Sequence, residues 1–154
     1  MNMTISATMV GIDKINSLVS DLQNVDRNRA LRYGLLQGAK VIERAGRRNL
    51  MLRNDEHTGN LMQSLRAKLA RGSLSAYAGF ERSYKLDLEK GVGNHAHLVD
   101  RGTDKRYTKK GYYRGIMPAS YFWTDTKAQS ASGVNRVILS SVERMVERLK
   151  SKYA

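Results

Sequence analysis

Residues 95–126 read HAHLVDRGTDKRYTKKGYYRGIMPASYFWTDT and hold the only proline of the chain, Pro118, the only tryptophan, Trp123, and more than half of the aromatic side chains. Asp104 to Gly115 is a basic loop edged by glycines, in which Lys105, Arg106, Lys109, Lys110 and Arg114 are interleaved with Tyr107, Tyr112 and Tyr113. Cations this close repel one another, so the free loop is expected to be mobile and to be ordered by a partner. The exit, Pro118-Ala119-Ser120-Tyr121-Phe122-Trp123, restricts the backbone just ahead of three aromatic anchors and lowers the entropy cost of placing them. Phe122 is expected in the core, with parts of Tyr121 and Trp123 at a subunit contact.

Downstream, Val134, Ile138, Val142, Met145 and Leu149 recur at helical spacing, with Val137 and Val146 beside them. Arg136, Glu143, Arg144, Glu147, Arg148 and Lys150 form the wet face of that helix. The run Gln129 to Gly133 (QSASG) is expected to interrupt the chain between Trp123 and the helix. Upstream, a long helix is expected from about Arg27 to Leu52, with Leu31, Leu35, Ile42 and Ala45 on one stripe and Asp26 as N-cap. Gly34, Gly38 and Gly46 each cost that helix about 1 kcal/mol against alanine. Close packing on a sheet accounts for them better than a bend. Before it, Ile12, Ile15, Val19 and Leu22 mark a shorter amphipathic helix.

Between the long helices, Asn60 to Arg71 begins with helical spacing and ends with strand alternation. Gly72-Ser73 reads as a turn, Leu74 to Ser83 as a partner strand, and Tyr84 to Glu89 alternates again through Tyr84, Leu86 and Leu88. The expected organisation is one domain over 1–154, with an N-terminal arm and short helix at 1–23 and a body at 24–154. Its class is α+β: a small, mostly antiparallel sheet packed with a long N-terminal helix and a C-terminal helix.

Lysine and arginine number 27 against 14 acidic residues, a formal charge of +13. Such a surplus points to a polyanion or an acidic protein surface as partner, and charge alone suggests a small basic nucleic-acid-binding protein. There is no cysteine for a disulfide or a thiolate metal site. No apolar run approaches the ~20 residues of a membrane-spanning helix. The start lacks the regions of a signal peptide, so cytoplasmic synthesis is expected. Chemistry is sparse. His57, His95 and His97 have no nearby carboxylates to orient them as metal ligands. Gly91-Val92-Gly93 lacks the spacing of a phosphate loop, and no serine stands in a nucleophile elbow. Asp100 and Asp104 flank Arg101 and Lys105 and are expected to pair with them. No catalytic residue, metal or cofactor is expected.

Two patterns stand in order along the chain. The first is Thr58-Gly59-x-Leu61-x-x-Ser64-Leu65. The second is Ala96-His97-Leu98-Val99-Asp100-x-Gly102-Thr103, then the polar loop, then Met117-Pro118-Ala119-Ser120-Tyr121-Phe122 and a helix. Together they resemble the tail-completion, or head–tail joining, family of long-tailed bacteriophages, the group similar to the minor tail protein Z of phage lambda. Ala119-Ser120 stand where that pattern has a second proline. The resemblance rests on Thr58, Gly59, Leu61, Ser64, Val99, Gly102, Thr103, Pro118 and Phe122. It implies a structural, non-enzymatic virion protein that closes the tail and joins it to the head, made in the host cytoplasm and assembled as a homo-oligomeric ring, six-fold by similarity to six-fold tails. Its implied partners are itself and neighbouring neck and tail proteins, with transient contact to the genomic DNA that passes through, and no membrane. Lys105, Arg106, Lys109, Lys110, Tyr112, Tyr113 and Arg114 are the expected partner-binding residues, mainly toward protein.

Overall fold

The structure is a computed structural model and describes residues 4–6, 12–53, 59–81 and 93–153. In chain order the elements are β1 (Thr4–Ser6), α1 (Ile12–Val19), α2 (Asn24–Arg53), α3 (Asn60–Ser64), β2 (Leu65–Leu69), β3 (Ala76–Phe80), α4 (Ala96–Arg101) and α5 (Phe122–Tyr153). Thr58, Gly91, Val92 and the alternating run Tyr84 to Glu89 lie outside the described residues.

The two long helices run antiparallel in close contact, and glycine permits it. A Cβ on Gly34 would stand 2.5 Å from Val142 Cγ2, and one on Gly38 2.6 Å from Ile138 Cγ1. A Cβ on Gly46 would meet the Trp123 ring at 2.6 Å. The glycines therefore serve close packing, as expected, but their main partner is α5 rather than the sheet. Leu31, Leu35 and Ile42 of α2 are buried with Val134, Ile138, Val142, Val146 and Leu149 of α5; Ala45 and Met145 are half-buried. Ile15 and Val19 of α1 join the same core. Trp123 joins Phe122 there, with edge contacts from both rings to Phe80 at centroid distances of 5.0 and 5.8 Å. The expected subunit role of Trp123 is thus corrected to a core role, while Tyr121 is exposed.

Helix α5 is continuous through Gln129 to Gly133, against the expected interruption. Ser130 is buried and donates its hydroxyl to the Thr126 carbonyl at 2.7 Å, so it back-bonds within the helix instead of ending it. Helix α2 starts at Asn24, ahead of the expected cap. The Gln23 carbonyl accepts from Arg27 N–H at 2.8 Å, and Asp26 lies in the first turn, where its charge suits the positive helix end.

The sheet has the order β1-β3-β2 and is antiparallel throughout. Leu65 pairs with Phe80 and Ala67 with Ala78, while Thr4 pairs with Gly79. The segment expected as an arm therefore contributes an edge strand. The other edge is half-closed by α2: Ala67 N–H donates to Glu43 Oε2 at 2.9 Å, and Arg47 donates to the Leu65 carbonyl at 2.7 Å and pairs with Glu43 at 3.0 Å. No helix among the described residues is long and apolar enough to cross a membrane.

Candidate interaction surface

Residues 103–117 form a hairpin that closes on its own backbone. At the base, Thr103 N–H donates to the Met117 carbonyl at 2.9 Å, and Met117 N–H donates to the Thr103 hydroxyl at 3.0 Å. Further out, Arg106 N–H donates to the Gly115 carbonyl at 3.1 Å and Arg114 N–H to the Arg106 carbonyl at 2.7 Å. Two residues of one arm thus oppose one of the other, a bulge made possible by Gly115 at φ 86°. Thr108 N–H donates to the Tyr112 carbonyl at 2.8 Å, and Gly111 N–H to the Thr108 carbonyl at 2.9 Å. With Gly111 at φ 82°, this is a three-residue tip, Lys109-Lys110-Gly111, ending in a left-handed glycine. The basic loop thus has a paired backbone, and charge repulsion among its side chains does not prevent that pairing.

The hairpin orients its side chains by strand alternation. Tyr107 and Tyr113 are opposite partners with ring centroids 5.6 Å apart, so they share one face. Arg106, Tyr112 and Arg114 take the other face, and Lys109 and Lys110 occupy the tip. Tyr107 and Tyr113 are each 58% exposed and Tyr112 69%. Lys105, Arg106, Lys109, Lys110 and Arg114 are exposed, and none has an ion-pair or side-chain hydrogen-bond partner among the described residues. All seven residues expected to bind a partner therefore lie together on one exposed element.

The residues of the two sequence patterns do a different job. Leu61, Ser64 and Phe122 are buried, and Ser64 donates its hydroxyl to the Leu61 carbonyl at 2.8 Å. Gly59 opens α3 at φ 74°. The Val99 carbonyl accepts from both N–H and hydroxyl of Ser120, at 3.1 and 2.8 Å. Gly102 has φ 77°, and a Cβ there would stand 2.7 Å from the Met117 carbonyl oxygen and 2.8 Å from Ala119 N. Gly102 and Thr103 thus seat the hairpin against the chain around Pro118, which is itself exposed.

Sequence reasoning misassigned Asp100. It is 1% exposed, and its carboxylate accepts from Trp123 N–H at 2.8 Å, Thr124 N–H at 3.1 Å and the Thr124 hydroxyl at 2.8 Å. It caps α5 from a distance, because the residue before that helix is Tyr121, at φ 52°, a residue type without the short side-chain oxygen of a usual N-cap. Nothing local in the sequence marks this, since cap and helix start lie 23 residues apart. Arg53, the last residue of α2, donates to the Ser120 carbonyl at 2.9 Å and pairs with Asp125, tying α2 to the same junction.

No family model, curated protein or solved structure matches the chain. Among the described residues no group of three or more His, Asp or Glu is placed to hold a metal ion. His95 precedes α4 and His97 lies inside it, so the two do not share a strand face. What the geometry offers chemically is an exposed, polycationic hairpin, hydrogen-bonded at its base and carrying tyrosines on both faces.

Proposed function

We propose that the chain is a structural, non-enzymatic virion protein of a long-tailed phage that completes the tail and joins it to the head, as one member of a homo-oligomeric ring at the neck. The observation that carries this reading is the division of labour around the hairpin. Leu61, Ser64, Val99, Gly102, Thr103 and Phe122 of the resemblance are engaged in internal support, and the hairpin cations have no ion-pair or side-chain hydrogen-bond partner among the described residues. Tyrosine and arginine on one exposed element suit a protein interface, and the cations select an acidic one. A ring at this joint must also let the genome through, and a tight grip on DNA would obstruct that passage. The hairpin's main partner in this reading is therefore an acidic surface of a neighbouring neck or tail protein, with six-fold order favoured by similarity to six-fold tails.

The five hairpin cations, unpaired among the described residues, also favour a second reading, a small basic protein whose hairpin binds nucleic acid phosphates. One experiment separates the two. Lys109, Lys110 and Arg114 are replaced by serine, joined particles are counted, and DNA affinity is measured against salt. The joining role predicts heads and tails that form but do not join stably, with little change in DNA binding. Joined particles at normal yield, with a salt slope reduced by about one per lost phosphate contact, would favour the nucleic-acid reading.

A further inference from the structure

The edge of β2 that faces away from β3 is only half closed. Glu81 N–H donates to the Ser64 carbonyl and Ala70 N–H to the Ser75 carbonyl. With the Leu65–Phe80 register, these bonds pair the even-numbered residues of β2 with β3 and turn the backbone groups of Ala67 and Leu69 to the free edge. Glu43 of α2 accepts from the Ala67 N–H, and Arg47 donates to the Leu65 carbonyl. The Ala67 carbonyl and the N–H and carbonyl of Leu69 have no partner among the described residues. Such an edge is a template for one more strand.

The surface beside the edge narrows the occupant. Leu36 stands about two helical turns from Glu43, and Arg29 about two turns further, so the α2 face that meets the edge at Glu43 continues through an apolar position to a cation. Here opens a groove of about 530 Å³, lined by Tyr33, Leu36, Leu69 and Met145 together with Arg29 and Arg32. The first four are half-buried. Arg32 gives one N–H to the Ser73 carbonyl at 3.3 Å, and neither arginine has an ion-pair partner among the described residues. Edge amides, apolar surface and two cations together fit an extended segment with apolar side chains toward α2 and carboxylates toward Arg29 and Arg32. The described strands of this chain do not offer one: Thr4–Ser6, Leu65–Leu69 and Ala76–Phe80 carry no carboxylate. The hairpin has five cations against Asp104 alone, so it is repelled. We propose that an extended, apolar and acidic segment of a different protein adds to the Ala67–Leu69 edge of β2 and fills this groove. The contact uses no hairpin residue and does not depend on a place at the neck, so it and the joining role fail separately.

A fluorescein-labelled peptide, Ile-Asp-Ile-Asp-Ile-Asp, is the probe, and Ile-Ile-Ile-Asp-Asp-Asp is a control of equal charge and composition. Binding to the full chain is read by fluorescence polarisation and by hydrogen exchange at the Leu69 N–H. The alternating peptide is expected to bind at least fivefold tighter than the control, and at saturation to slow Leu69 exchange at least fivefold. Arg29→Glu with Arg32→Glu should weaken that binding at least fivefold. Arg29→Glu alone, at an exposed position, should weaken it at least threefold and covers the case in which losing the Ser73 contact disturbs folding. Replacing Lys109, Lys110 and Arg114 with serine should leave it unchanged within twofold. Equal binding of the two peptides would reduce the effect to charge alone and overturn the proposal, as would loss of binding in the hairpin variant. A Leu69 N–H already protected in the free chain would give the edge to the chain itself or to a second copy, and would overturn it as well.

Discussion

Asp100 joins α4 to α5 through three hydrogen bonds to one buried carboxylate. Asp100→Ala leaves two N–H donors of the first turn of α5 unsatisfied, and is predicted to cost about 2–3 kcal/mol in a urea melt. A loss under 0.5 kcal/mol would mean that water replaces the carboxylate and that the cap is dispensable. The glycines give a paired prediction of opposite sign. Gly34→Ala forces a methyl against Val142 and the Ile138 carbonyl and is predicted to destabilise by about 1–3 kcal/mol. Gly133→Ala meets nothing within 4 Å in the middle of α5 and is predicted to stabilise by up to about 1 kcal/mol. The packing role of Gly34 was legible, because glycine inside a strong apolar stripe needs a neighbour that close. The role of Asp100 was not, because the nearby cations Arg101 and Lys105 suggest surface pairing, while its partners arrive only when the hairpin folds back.

At the scale of elements, α5 is the part whose start was misjudged. Serine and glycine in Gln129 to Gly133 have weak helix propensity, but helices in proteins owe most of their stability to a packed face. The apolar stripe read from Val134 onward is extended by Phe122, Trp123, Thr126 and Ser130, all buried. Thr126 also accepts from the amide of Asn49 at 2.9 Å, a cross-helix bond that periodicity cannot reveal. Val142 is fully buried at the tightest crossing of α2, so Val142→Asp is predicted to cost several kcal/mol in a denaturant melt. Near-native stability would place this face against solvent. The hairpin hangs on Gly102, whose backbone angles favour glycine and whose missing Cβ admits Met117 and Ala119. Gly102→Ala is predicted to cost about 1–3 kcal/mol and to expose the amides of Arg106 and Arg114 to hydrogen exchange. Unchanged exchange at both amides would show that the hairpin holds without its seat.

For the whole molecule, the alternation of long helix, short strands and long helix was enough to read an α+β class, since each apolar face has one place to go. The edge strand β1 and its pairing with β3 were not readable, because three residues carry too little pattern. The charge of +13 is only partly balanced within the fold: Glu43, Glu81 and Asp125 pair with cations inside it, while the hairpin cations have no ion-pair partner among the described residues. That imbalance makes a partner part of the account, and the ring at the head–tail joint is its central claim. Electron microscopy of purified phage necks, with this chain tagged at its C-terminus, tests it most directly. The account predicts several copies of this fold in a closed ring around the DNA channel, each with its basic hairpin against an adjoining protein. A single copy at the neck, or necks complete without the tagged chain, would contradict it.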